Sequence, residues 1–371
     1  MTSPPRLDPD RLERARRLRV FHRVLSLSER LLALAFLLLL HAWGFAPWLG
    51  DALGGTPGFW RDYGVIAGVL IATGLLGLPF ELLTWRRGRA EGLVVQSLPG
   101  WLGDQAKGLV LTLILLGGPL ALWYQVLARE DWWLLTILGV ALVSAVIFGA
   151  SPLLQGLFFR FERLADPDLE ARITALGAKA GVRVAGVYRW GLSAKSTASN
   201  AAVTGLGPTK RIIIADTMLD RYPPEEIEAV LAHELAHQVH GDLYRFLALG
   251  SAGGAALLIG LRVALDALLG PGAGASVANY PLLAVGLSLA AFLAGPLFMT
   301  FSRWREYAAD AYAARQTSAA AIGGALVRLV DQNLGDPEPP AWEEALFMSH
   351  PSVANRVRAL GLPWPPATGA S

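Results

Sequence analysis

The 371-residue sequence has no cysteine and only six histidines. Without thiols there are no disulfides and no thiolate metal sites, a composition that suits a reducing compartment. Charge is scarce as well: 17% of residues are charged and 53% are hydrophobic, where a soluble domain carries about a quarter charged. The apolar residues are gathered into long runs, at 31–50, 64–85, 107–128, 132–152, 244–268 and 281–301. Each run approaches the roughly 20 residues that cross a bilayer core. One such run could be a buried helix; six in one chain point to a polytopic membrane protein.

Lysine is rare beside arginine, and the modest net charge of +2 hides a strong asymmetry along the chain. Arg6, Arg11, Arg14, Arg16, Arg17, Arg19, Arg23 and Arg30 precede the first run, and Arg86, Arg87, Arg89 and Lys107 fill the second connection. The first connection has only Arg61, the third only Arg129, and 269–280 none. By the positive-inside rule both termini and the segment 153–243 face the cytoplasm, and the asymmetry reads as topology, not nucleic-acid binding. Trp43, Trp48, Trp60, Trp85, Trp132 and Trp133 stand near run ends, as an interfacial belt requires. The arginine-rich start resembles a secretory leader in outline, but its apolar run is long and no small-x-small site follows it, so a retained first span is expected.

Between the fourth and fifth runs the periodicity predicts a small α/β unit. Leu169, Ile173, Leu176 and Ala180 have helical spacing over 167–180. Strands are predicted at Val182–Tyr188, Ser199–Gly205 and Arg211–Ala215, the last two joined through Gly207-Pro208. Pro223 and Pro224 followed by Glu225 and Glu226 open a helix predicted over 224–240, with acidic groups at the positive end of its dipole. Residues 302–371 form a tail, helical at first and Pro-rich at its end.

On the 224–240 helix lies His233-Glu234-Leu235-Ala236-His237. Side chains four apart share a helix face, so both imidazoles can reach one metal ion with Glu234 beside them. A catalytic zinc site needs a third protein ligand, and Glu306, directly after the sixth run, is the candidate that a hairpin of the fifth and sixth spans would return to the histidines. Asp310, one turn on, is placed to hold the free nitrogen of a liganding histidine. His240 is read as a polar rim residue, since using it as a ligand would bend the helix round the metal. The chemistry expected is peptide-bond hydrolysis with one Zn(2+) per chain and Glu234 moving the proton. The division expected is a membrane domain over 1–152 and a zinc metallopeptidase domain over 153–371.

The ordered motifs resemble one family, the type I CAAX prenyl proteases, also called sterile-protein-24-like zinc peptidases. The resemblance runs from Gln96-Ser97-Leu98-Pro99-Gly100-Trp101-Leu102 and Asp104 to Gly108 through Ser199-Asn200-Ala201, Gly205-Leu206-Gly207, Lys210-Arg211-Ile212-Ile213 and Asp216-Thr217-Met218-Leu219. It continues through Glu306-Tyr307-Ala308-Ala309-Asp310 to His350-Pro351-Ser352 and Arg356, covering roughly residues 60–360. The resemblance implies a mainly α membrane fold with a short cytoplasmic sheet, and peptide or protein substrates, prenylated ones among them. It also implies substrate contacts at Asn200 and Ala201 on an edge strand, oxyanion stabilisation by His350, and Arg356 in the active-site polar and substrate-binding network. An inner-membrane protein of a bacterium, surrounded by lipid, is the expected setting. The family usually has seven spans where six are counted here, the first being the one expected to be missing, so its enclosure is completed differently or stands more open. Ala201-Ala202-Val203 also stands where relatives often carry an aromatic. The alternative readings are a stress-type membrane protease that degrades misfolded membrane proteins, and a non-catalytic scaffold. A site-2-type intramembrane protease would need an aspartate ligand followed by glycine in a later span, and no such motif is found.

Overall fold

A computed structural model describes residues 8–54, 58–205 and 207–364. Arg6, Leu206 and the Pro-rich end from 365 onward lie outside them. Among the described residues six helices are long and apolar enough to cross a membrane, and a short four-stranded sheet sits with smaller helices at one end of them.

The first, α1 (Pro9–Ala42), starts on an Asp8 cap that accepts the Asp10 amide and runs as one rod from the arginine-rich segment into the apolar run. The predicted span at 31–50 is not one helix, however. The chain turns at Trp43 and Gly44, and α2 (Phe45–Ala52) follows. Gly44 takes φ 67, a left-handed conformation that only glycine adopts at little cost. The second span lies within α3 (Phe59–Ala90). The third is built from α4 (Leu98–Thr112), a π turn at Leu113–Gly117 and α5 (Gly118–Val126). Pro119 follows that turn at once; having no N–H to give, it accounts for the local shift of the hydrogen-bond ladder. The fourth span is α6 (Trp132–Gly156), bound to α5 by a buried bond from Trp123 Nε1 to Thr136 Oγ1 of 2.8 Å.

At the end of the bundle away from the sheet, Leu37, Ile66, Val69, Leu120, Tyr124, Leu265 and Leu283 share one core. Elsewhere the spans expose rows of leucine, valine and phenylalanine, as lipid-facing helices do.

The sheet has the order β1-β2-β4-β3. Its strands are β1 (Phe161–Arg163), β2 (Val187–Trp190), β3 (Ala201–Thr204) and β4 (Arg211–Ala215). β3 and β4 form the predicted antiparallel hairpin, while β2 pairs parallel to β4 from Val187 opposite Ile212. β2 therefore begins five residues later than the predicted Val182, because its register is set by the partner strand. β1, only three residues long, has no readable alternation. Ile173 of α7 (Pro167–Lys179), Val187, Ile212, Ile214, Met218 of α8 (Asp216–Leu219), and Ile227 and Leu231 of α9 (Pro224–Val239) form the core beneath the sheet.

From α9 the chain enters the fifth span, α10 (Asp242–Leu269), and returns as α11 (Tyr280–Gln316). α11 does not stop at the end of its apolar stretch but continues unbroken through Glu306 and Asp310. The tail then packs as α12 (Ala319–Gln332), α13 (Ala341–Phe347) and α14 (Val353–Ala359), the first and last capped by Ser318 and Ser352.

Several ties bind the tail and the sheet to the membrane helices, two of them notable. The chain leaving α3 pairs with the chain approaching β3: Val95 and Gln96 donate to the Lys195 carbonyl, and Thr197 donates to that of Leu93. At the other tie Glu343 of α13, 1% exposed, is gripped by Arg19 and Arg23 of α1. Removing one partner of a shielded pair leaves charge uncompensated. Glu343→Ala should therefore cost about 3 kcal/mol, measurable as a thermal midpoint several degrees lower in detergent. An unchanged midpoint would mean that apolar packing and the remaining Arg11–Asp331 and Arg19–Asp336 pairs hold α1 to the tail without Glu343.

Candidate metal centre

Helix α9 buries Ile227 and Leu231 in the core beneath the sheet, and Leu235 is buried one turn further on. His233 and His237 follow one another by a single turn, their rings 5.0 Å apart and nearly perpendicular. α10 and α11 form the expected hairpin and return Glu306 to them. Its carboxylate lies 3.4 Å from His233 Nε2 through one oxygen and 3.5 Å from His237 Nε2 through the other. Two ligands about 2.1 Å from a tetrahedral ion stand about 3.4 Å apart, so the three side chains are spaced to share a metal ion.

The surroundings fit a cation too. Glu306 is 4% exposed, and His233 Nε2, His350 Nδ1 and Arg356 Nη1 converge on its Oε2 at 3.4, 2.9 and 3.5 Å. A carboxylate so shielded from water is costly unless positive charge surrounds it. His233, Glu306 and His237 are the one group of metal-binding side chains found among the described residues.

Behind each imidazole stands an aspartate, and behind each aspartate an arginine. His233 Nδ1 lies 2.9 Å from Asp310 Oδ1, and the Arg356 guanidinium grips both oxygens of Asp310 at 2.7 and 2.6 Å. His237 Nδ1 lies 2.9 Å from Asp242 Oδ2, and Arg305 Nε lies 2.5 Å from Asp242 Oδ1. Carboxylates so fixed hold each histidine in the tautomer that turns Nε2 toward Glu306. Asp310 and Arg356 are legible from the sequence; Asp242 and Arg305 are not. The signal for Asp242 is its place directly after Gly241, whose φ of 65 ends α9 and swings the next side chain back beneath His237.

Electrostatics favour positive charge throughout. Burial works to lower the pKa of His233, but Asp310 and Glu306 outweigh it and hold the imidazole at about 9. His237 is raised as well, burial again being overcome, here mainly by Glu306 and with help from Asp242. Burial pushes the Glu234 carboxyl above its usual range despite the nearby histidines, the direction a general base working near neutrality requires.

His350, on the loop between α13 and α14, reaches the same centre with Nδ1 2.9 Å from Glu306 Oε2, while most of its ring stays exposed. Arg356 Nη1 lies 3.5 Å from that oxygen. Asn200 is exposed at the start of β3, its side-chain oxygen accepting the Ala201 amide at 2.8 Å, and Ala201 is buried. β3 is the outer strand of the sheet opposite β1, so one of its edges has no strand partner among the described residues. His240 packs edge-on against Tyr312 with ring centroids 5.8 Å apart and stands outside the three-ligand group.

Known proteins share both halves of this arrangement. The model of "Peptidase family M48" matches residues 163–362, and that of "CAAX prenyl protease N-terminal, five membrane helices" matches 4–158. A CAAX prenyl protease 1 homolog of Arabidopsis thaliana is 30% identical over 318 residues, 80% of this chain and 72% of that protein. An uncharacterized metalloprotease of Bacillus subtilis, YhfN, is 25% identical over 315 residues, 81% of this chain and 73% of its own. The crystal structure of S. mikatae Ste24p superposes with a TM-score of 0.82 at 21% identity, covering 96% of this chain and 91% of that one. The chain belongs to peptidase family M48, as a membrane metalloprotease of the CAAX prenyl protease kind.

Proposed function

We propose that the protein is a zinc-dependent membrane endopeptidase that cuts peptides near their C-terminus, prenylated ones included. The observation that carries this reading is the His233–His237–Glu306 triangle, with an aspartate fixing each imidazole from behind. A zinc ion held there supplies Lewis acidity and lowers the pKa of water toward neutrality. Glu234 takes the proton from the attacking water and returns it to the leaving amine. An extended substrate adds to the unpaired edge of β3 by backbone hydrogen bonds, with Asn200 and Ala201 lining its path. His350, exposed beside Glu306, donates to the oxyanion that develops on the scissile carbonyl. Arg356 holds Asp310, and through it His233, in place.

The site faces the cytoplasm of a bacterial inner membrane in this reading, on the side of the arginines that open α1 and close α3. The small side chains of Ala202 and Val203 on β3 favour a second reading, since backbone pairing with little side-chain selection suits a protease that clears varied membrane proteins. One comparison separates the two: cleavage of a farnesylated CAAX peptide beside its unprenylated twin, with and without a chelator. Chelation should abolish cleavage and zinc should restore it. Faster cleavage of the farnesylated peptide supports CAAX processing, and equal rates favour clearance. No cleavage by metal-loaded protein would sink both.

A further inference from the structure

Away from the metal centre, a cleft of about 540 Å³ opens where α6 leaves the membrane, a size typical of small-molecule sites. Lys107, Phe158, Arg160, Arg189, Ser193 and Lys195 are among its lining residues. Four basic side chains thus meet at the membrane edge of the sheet, with Glu162 and Asp216 as the acids in the lining.

The bonds already made inside the cleft show which charges are spoken for. Asp104, just outside the lining, pairs with both Lys195 and Lys107, and the Lys107 ammonium also donates to the Leu157 carbonyl at 3.0 Å. Asp216 is 3% exposed and accepts from the Ser193 amide, the Ser193 hydroxyl and the Thr217 amide. Its charge is largely satisfied, and Arg189 stands off at 3.7 Å. Arg160 has no side-chain partner among the described residues and is exposed. Arg160 is therefore available to an incoming anion, and Arg189, exposed and only loosely paired with Asp216, can be shared with one.

Beneath the cleft the surface turns apolar. Leu153 and Leu157, on the last turn of α6 and just after it, are 78% and 52% exposed, and the Lys107 and Lys195 ammoniums stand over the neighbouring Phe158 ring at 5.7 and 5.6 Å. Cations above and exposed leucines below, at the end of a membrane span, match an amphiphile with a phosphate head and an acyl tail. Basic pockets between membrane helices are the usual seats of such head groups.

We propose that this cleft binds the phosphate head group of an anionic phospholipid from the leaflet on the metal-centre side, with Arg160 and Arg189 on the phosphate and the acyl chains along Leu153 and Leu157. The proposal does not depend on what the metal centre hydrolyses. It locates a lipid contact where the α4 and α6 ends meet the sheet.

Native mass spectrometry of the full-length chain in detergent tests it, with phosphatidylglycerol and phosphatidylcholine added at equal concentration. Phosphatidylglycerol should be retained preferentially, and the double variant Arg160→Gln/Arg189→Gln should weaken its binding by roughly twenty-five-fold, about fivefold for each cation. Arg183→Gln, an exposed arginine outside the cleft, should leave binding unchanged. Both substituted arginines are exposed, so the fold should survive; circular dichroism and zinc content verify this. Equal retention of the two lipids, or equal loss in the double and control variants, would overturn the site. Displacement of phosphatidylglycerol by an equimolar amount of inorganic phosphate would overturn the lipid assignment in favour of a soluble anion.

Discussion

Glu234→Gln should lower the rate of peptide hydrolysis by about 10²–10⁴-fold, the span that a positioned general acid–base contributes, while zinc content stays at one ion per chain. The amide is nearly isosteric with the carboxylate, and Glu234 is not one of the three grouped ligands. The substitution therefore removes a proton acceptor and leaves the cation's seat intact. Single-turnover cleavage and metal analysis on the same preparation make the comparison. A variant that loses zinc along with activity would reassign Glu234 to the metal's support. One that keeps full activity would remove it from the chemistry.

The other large effect is expected at Arg356. Its guanidinium grips Asp310 through two bonds, and both side chains are buried against His233. Arg356→Ala leaves the Asp310 carboxylate shielded from water with its chief counter-charge gone, a change that costs about 3–5 kcal/mol when a buried pair is broken. Zinc affinity should fall by about 10–100-fold at the same time, because the support of a liganding histidine is lost. Arg356→Lys retains the charge but not the fork, so it should fall between the two. Thermal unfolding in detergent and competition with a chelator of known affinity read the two effects separately. Wild-type stability together with wild-type zinc affinity in the alanine variant would reduce Arg356 to a bystander.

Much of the centre is legible in the sequence because its members fall at spacings with only one geometric meaning. Two histidines four apart on a helix share a face whatever surrounds them, and spans of known length return Glu306 to the same membrane surface. Asp310, one helical turn further, is carried along by the same rod. Asp242 and Arg305 escape notice for the opposite reason. Their pairing depends on the turn at Gly241 and on the packing of α10 against α11, contacts 63 residues apart in sequence.

The same distinction runs through the fold. Hydropathy over twenty residues is a one-dimensional property and locates the spans well. The break at Gly44 is different, since the apolar run passes through it undiminished and only the backbone conformation marks it. The strands depend on their partners. β4 is found in place because its three isoleucines are all buried, two of them in the core beneath the sheet, whereas the start of β2 follows from where β4 can pair with it.

The unbroken course of α11 has a bearing on the protein's birth. The two histidines and Glu234 lie ahead of the fifth span, and Glu306 is carried on the rod that emerges from the sixth. While the chain is being made, the histidines leave the ribosome with no third ligand to meet. On the function proposed above, the three ligands meet only once the α10–α11 hairpin has folded back, so hydrolysis waits on the assembly of the membrane helices.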